Sequence, residues 1–477
     1  MPTDYYYDGT NGNDSTGNGS EGAPYKTIKN ATVGGVFNPT DVRFFIKRGT
    51  TVEIAGNAIH PQGPFYIGPY GDGEDWATLL CNNGGTYYLA TGTGCAAGDI
   101  VHFDSIKIID DDLSSYVSAI YQNNSGSGTI KVTDCYIQNF FNGIMTQRGT
   151  AHQILRNTIV GCRNAGIMIE HASVAAPSNM LIANNYVDGT SASNDGIVLH
   201  AGTSNGYGNI IRDNTVIAGA EQAIDIMQMF PGTIVDRNIC YSNPAQPTNW
   251  EEIFCRGANS VISRNLIFTE KRRGIMLDNV GITAKCNIVV GKAGLTGENM
   301  LLALATCTNF KAYNNMFYMA ASFAKSAMVG SSGLTTGTAK NNLFINASAS
   351  GSSRFITAEV RANLNTWDID NNYYVQLPGS NATPWAAASS FATWTASTGT
   401  PDAGTGIVAT ESPFLIPSYQ ERGQHFDLDK ILTILAGNAL IEKGAHIGYS
   451  TDIAGKQFWN PPSIGPVEYV RPRNARV

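Results

Sequence analysis

The chain has 477 residues, 51 of them glycine, with 43% hydrophobic and only 14% charged residues, against about 25% charged in an ordinary soluble domain. That composition supplies a core and excludes disorder, and glycine without a Gly-X-Y period excludes collagen. A formal net charge of −7 argues against a general nucleic-acid or anionic-membrane binder, which needs clustered Lys and Arg to displace counterions.

From the N-terminus, Met1 to Gly12 lack the basic start and apolar middle of a signal peptide. Either the chain is not exported this way or a signal has been removed. No run nears the roughly 18 apolar residues of a membrane span, so no membrane insertion is expected. Residues 1–23 read as a Gly/Asn/Ser-rich opening segment, residues 24–375 as one repeat array, and residues 376–477 as a C-terminal excursion, capping helix and terminal coil.

The array is marked by an asparagine between short apolar runs, as in Ile154-Leu-Arg-Asn157-Thr-Ile, and it recurs at Asn185, Asn214, Asn238, Asn265, Asn287, Asn315, Asn342 and Asn372. Intervals run from 22 to 30 residues, and Cys135 fills the same slot 22 residues before Asn157. Neither LxxLxL nor a 3.6-residue stripe accompanies the period, so leucine-rich and helical repeats are excluded. Short β-branched runs separated by Gly, Asn, Ser and Asp predict three short strands per coil and an all-β solenoid. The asparagine is expected at a sharp corner, tolerating left-handed backbone and stacking its amide on the copies above and below.

About nine residues after most corners comes a second element: Gly143-Ile-Met-Thr-Gln, Gly166-Ile-Met-Ile-Glu, Gly196-Ile-Val-Leu-His, Ala223-Ile-Asp-Ile-Met, Glu252-Ile-Phe-Cys-Arg and Gly274-Ile-Met-Leu-Asp. Beyond the array, Leu377 to Thr410 is rich in small and turn residues. Asp427 can then cap a helix from Leu428 to Ala436 that ends at Gly437 and closes the open core.

With the opening Tyr7-Asp-Gly-Thr-Asn-Gly-Asn-Asp14, Pro24-Tyr-Lys-Thr-Ile28, Ile46-Lys-Arg-Gly-Thr50 and Tyr66-Ile-Gly-Pro-Tyr-Gly-Asp-Gly73, and Gly444-Ala-His-Ile-Gly448, Thr451-Asp-Ile-Ala-Gly455 and Ile464-Gly-Pro-Val-Glu-Tyr469 near the end, these elements resemble a known family. The chain is similar to the right-handed parallel β-helix proteins of the pectate-lyase-like superfamily, which include phage tailspikes and secreted polysaccharide-degrading enzymes. The resemblance implies a single-stranded parallel β-helix acting on an extracellular polysaccharide as a lyase or glycoside hydrolase, located on a virion or outside the cell. A tailspike would also be a homotrimer. The NTD, GHG and RIK segments of polygalacturonase-like hydrolases and the WiDH segment of pectate lyases are absent. A non-catalytic, glycan-binding or structural spike therefore stays open beside the enzyme.

The resemblance also places sugar chains along the face that starts with the Gly-Ile element. Strand alternation turns Ile144, Ile167, Ile197, Ile224, Ile253 and Ile275 inward. It turns Met145, Met168, Val198, Asp225, Phe254 and Met276 outward, beside Gln147, Glu170, His200, Met227, Arg256 and Asp278. Rungs lie about 4.8 Å apart, so Glu170 and His200 can touch and Asp225 can lean toward His200. A carboxylate-imidazole-carboxylate group suits proton transfer at a glycosidic bond or beside a uronate carboxyl. Glu170, His200 and Asp225 are thus the expected catalytic residues, though the same side chains would serve as ordinary exposed pairs.

Arg256 and the basic run Lys271-Arg272-Arg273 are expected to hold an anionic sugar substituent beside Asp278, and Trp250 and Phe254 to stack on sugar rings. Asp110-Asp111-Asp112 and the stretch from Asp8 to Asp14 carry hard oxygen ligands for Ca2+, but these residue types also fill turns and neither has EF-hand spacing. No metal site or other cofactor is assigned. The eight cysteines show no CxxC or CxxH pairing and are expected as unpaired interior thiols. His60, His102, His152, His425 and His446 are expected to be structural.

Overall fold

The computed structural model describes residues 2–381 apart from 29–39, 55–58, 60, 82–94, 112–116, 123–126, 172–176, 194, 202–204, 244–249, 270–272, 292–298, 321–322, 324, 335 and 359–365, and beyond 381 only 392–393 and 407–409. The expected capping helix and terminal coil lie outside the described residues. The elements named among the described residues are all β-strands. The chain divides into two compact units, Met1–Thr233 and Ile234–Val477.

Each unit is a parallel solenoid of three sheets. In the first unit the first sheet runs from Thr3–Tyr7 to Ile210–Arg212, the second from Thr51–Ile54 to Thr215–Ile217, and the third from Ser118–Gln122 to Ile224–Ile226. In the second unit they run from Ile234–Asp236 to Trp367–Asp370, from Ile239–Tyr241 to Ile407–Ala409, and from Glu251–Cys255 to Arg354–Ala358. The strand Thr3–Tyr7 lies in the stretch read as an opening segment, yet pairs in register with Val42–Lys47.

In-register parallel pairing sets like on like at about 4.8 Å, as in the second unit, where Phe317, Phe344 and Tyr374 are register partners and stack at 5.3 Å per step. In the first unit Tyr7, Phe44, Phe65 and Phe103 are offset by two residues from one strand to the next and meet edge to face instead, the successive centroids 5.2, 5.1 and 6.2 Å apart. All eight cysteines are buried, and none is in a disulfide.

The repeated asparagines form a hydrogen-bonded ladder in each unit. Asn157 donates its backbone N–H and its Nδ2 to Asn185 Oδ1, both at 2.9 Å, and Asn185 does the same to Asn214. In the second unit the pattern runs from Asn238 through Asn265, Asn287, Asn315 and Asn342 to Asn372. Cys135 donates its N–H to Asn157 Oδ1 at 3.0 Å, so it does occupy the ladder slot. One expectation is corrected. The left-handed backbone belongs to the residue before each asparagine, such as Arg156 (φ 57), Asn184 (φ 57) and Asp213 (φ 57). The ladder asparagine points its amide inward, and the preceding residue makes the corner.

Candidate functional site

The third sheet explains the Gly-Ile element. Its isoleucines are fully buried, and the preceding residue faces the second sheet at close range. A Cβ on Gly166 would lie 2.3 Å from Val187 Cγ1, and one on Gly196 2.4 Å from Val216 Cγ1. Glycine is therefore what lets the two sheets approach. Glu252 occupies this slot in the second unit and is fully buried. It accepts a hydrogen bond from Ser242 Oγ. The second-sheet residue on its rung is Cys240, paired with Ile267, and burial and then the Glu252 charge push that thiol well above its ordinary range.

The residues after the isoleucines are less open than strand alternation implied. Met145, Met168 and Val198 are 9%, 7% and 3% exposed and pack as a cluster of their own with Tyr121. Ser118 Oγ and Asn142 Nδ2 rest on Met145 Sδ, and Asn164 Nδ2 on Met168 Sδ. Residues stacked on their own copies cover one another, which counting along a single strand does not reveal.

Glu170 and His200 are Cα partners on adjacent strands, Glu170 half-buried and His200 exposed. Asp225 pairs with Val198, two residues before His200. It is therefore diagonal to the imidazole and only 6% exposed. Beside this column lies a polar one that sequence reasoning missed, two residues before every isoleucine of the element except Ile167, where Ala165 stands. It contains Asn142, Asp195 and Gln222, all buried, and Asp195 Oδ1 accepts the Gln222 N–H at 2.7 Å. The missed signal was a polar residue recurring at that one offset.

In the second unit the same offset holds Glu251 and Arg273, which are Cα partners and an ion pair at 2.5 Å. Glu251 is 1% exposed. Arg273, expected to hold substrate, is thus bound to a carboxylate of its own chain, while Lys271 and Arg272 lie outside the described residues. Arg256 lies over Phe254, its guanidinium carbon 4.3 Å from the ring centroid. Phe254 is 7% exposed and Trp250 40%, so of the two aromatic candidates Trp250 is the one open to solvent. Asp278 accepts a hydrogen bond from Thr306 Oγ1.

Of the carboxylates considered for Ca2+, Asp8 and Asp14 are engaged within the chain, and Asp112 lies outside the described residues. Asp8 Oδ1 accepts the N–H groups of Thr10 and Asn11, and its Oδ2 pairs with Lys47 Nζ at 2.8 Å. Asp14 accepts the N–H groups of Lys26 and Thr27. Among the described residues no group of three or more His, Cys, Asp or Glu is arranged to hold a metal. No helix among them is long and apolar enough to cross a membrane.

The chain is similar to the Dettilon tailspike protein, with 11% identity and a TM-score of 0.49 over 71% of this chain and 68% of that one. It is similar to a GH136 lacto-N-biosidase from Eubacterium ramulus, with 13% identity and a TM-score of 0.45 over 72% and 63%. A third likeness is to the mannuronan C-5 epimerase AlgE4 A-module of Azotobacter vinelandii, with 10% identity and a TM-score of 0.44 over 80% and 95%. No curated protein matches the sequence. Residues 100–250 match the family described as the right handed beta helix region, and with its three parallel sheets and asparagine ladders the chain is a right-handed parallel β-helix.

Proposed function

We propose that the protein binds an extracellular polysaccharide on the outer face of the third sheet and cleaves it there, as a lyase or a glycoside hydrolase, on a virion or outside the cell. The observation that carries this reading is the in-register pairing of Glu170 with His200, with Asp225 one strand further on. In a lyase, His200 takes the proton beside the uronate carboxyl, the electron pair forms the new C=C bond, and the glycosidic C–O bond breaks. In a hydrolase, Glu170 and Asp225 divide the acid and base roles, one protonating the leaving oxygen and the other deprotonating water. Arg256, Asp278, Trp250, Phe254 and the run Lys271 to Arg273 in the second unit are proposed separately as sugar contacts.

A binding-only reading is favoured by one observation, the burial of Asp225 beside Val198, since a covered carboxylate must be reached before it can transfer a proton. Incubation with a panel of bacterial and algal polysaccharides separates the two. Ultraviolet absorbance reads lyase double bonds, and reducing ends read hydrolysis. For a lyase His200→Ala, and for a hydrolase Asp225→Ala, is expected to lower turnover by about 10²-fold or more with the melting temperature retained. Turnover within a few-fold of the parent in both variants would remove these residues from the reaction.

A further inference from the structure

The outer face of the first sheet carries aromatic side chains at the start of the first unit. Tyr6 and Phe45 are register partners and stack in the ordinary cross-strand way, with centroids 5.2 Å apart and planes at 23°. The next residue in that row is Gly68, so the stack stops there. Its place is taken by Tyr66, two residues earlier on the same strand. A Cβ on Gly68 would lie 2.1 Å from the Tyr66 hydroxyl oxygen and 2.6 Å from Cζ. A Cβ at an outward position points away from the sheet, so the Tyr66 ring lies down along its own strand, over Gly68, and does not stack on its register partners Arg43 and His102.

Side chains rise on both sides of the reclining ring. Phe45 is tilted 51° to it at 5.7 Å between centroids, and His102 73° at 5.5 Å. Tyr66 donates its hydroxyl to Asp104 Oδ2 at 3.3 Å, and Thr133 Oγ1 donates to Asp104 Oδ1 at 2.6 Å. With its proton in that bond, Thr133 accepts from His102 Nε2–H at 2.8 Å, which leaves His102 Nδ1 as an acceptor. Burial lowers the imidazole below its ordinary range, more than the Asp104 charge raises it, so the ring is neutral. Phe45 and Tyr66 are half-buried, and the side chains of His102 and Asp104 are 28% and 30% exposed.

We infer that this trough, with Tyr66 as its floor, Phe45 and His102 as its walls and Asp104 at its end, binds a neutral pyranose ring of a polysaccharide. The face of a phenol ring meets the apolar C–H face of such a sugar, while the Asp104 carboxylate and His102 Nδ1 accept its hydroxyls. Both groups are acceptors, which disfavours a sugar carboxylate or sulfate in the same place. Hydrogen bonds through Asp104 and Thr133 fix the floor and one wall in advance, and that lowers the cost of ordering them on a ligand. Packing alone does not account for the arrangement, because a ring at position 68 would continue the Tyr6–Phe45 stack. The trough belongs to the first sheet and stands whether or not the third sheet cleaves.

Affinity electrophoresis of the full chain tests it, in gels containing dextran, galactomannan, hydroxyethylcellulose or polygalacturonate. Retardation is expected in a neutral gel. Tyr66→Ala removes the floor and is expected to reduce apparent affinity about tenfold. Gly68→Ala puts a methyl group where the hydroxyl lies, so it is expected to weaken binding by lifting the ring while the ring is still present. Adding Gly68→Ala to Tyr66→Ala should then change neither affinity nor melting temperature further, which a merely structural glycine would not show. No retardation in any neutral gel, retardation by polygalacturonate alone, or retardation unchanged in both single variants would overturn the proposal. Cleavage measured on the same variants keeps the two readings apart, since binding lost with cleavage intact supports the trough whatever the fate of the His200 cluster.

Discussion

Replacing Asn265 with alanine is expected to destabilise the second unit by about 3 to 5 kcal/mol, summing about 1 to 3 kcal/mol for each buried polar group left unpaired. Its Oδ1 accepts both the backbone N–H and the Nδ2 of Asn238, at 2.9 and 3.0 Å. Its Nδ2 donates to the Val235 carbonyl at 3.0 Å and to Asn287 Oδ1 at 2.9 Å. Asn265 is 0% exposed, so water cannot replace the lost partners without opening the coil. The urea midpoint of unfolding reads the effect. Asn205→Ala is the control, because Asn205 is exposed and, among the described residues, donates to the exposed Tyr207 hydroxyl; its change should stay within about 0.5 kcal/mol. An equal shift in the two variants would show that the ladder contributes no more than surface asparagines do.

Acid should weaken the first unit through His152. This residue is 1% exposed, its Nδ1 accepts the Ile130 N–H at 3.0 Å, and its Nε2–H donates to the Arg148 carbonyl at 2.5 Å. Only the neutral ring satisfies both bonds, since a proton on Nδ1 would face another N–H. Burial pushes the imidazole from 6.5 down to about 4, with the Arg148 bond opposing it in part. A base whose folded pKa lies below its unfolded one binds protons more readily when unfolded. Its contribution is complete above pH 6.5 and drains away as pH falls toward 4, amounting to about 3 kcal/mol over that window. Urea unfolding at pH 7 and pH 4 should therefore show a steeper loss in the parent than in His152→Gln, which cannot titrate. Equal losses would assign the acid sensitivity to other groups.

Much of the architecture was legible because a parallel solenoid writes its register into the sequence. Residues one coil apart become neighbours, so the asparagine period and the Gly-Ile element identified the strands. They also placed Glu170 opposite His200, as the pairing shows. The cysteines were legible as interior thiols because none has CxxC or CxxH spacing and Cys packs as a small hydrophobe.

What alternation along one strand could not decide was burial on the outer face and the choice of partners. Met145, Met168 and Val198 are covered by one another and by Tyr121, and Asp225 is covered in the same column. Arg273 looked like a free cation in a basic run until Glu251 was found beside it from the previous coil. The pairing of Asp236 with Arg264 escaped notice because the two are a whole coil apart in the sequence. By itself the sequence determined the repeat, the all-β solenoid, the ladder and the order of side chains on each rung, since these follow from period and strand alternation. Only the tertiary structure decided which charges neutralise one another and which outward side chains are covered, because that depends on side-chain contacts between coils and on how far each coil shields the next from water.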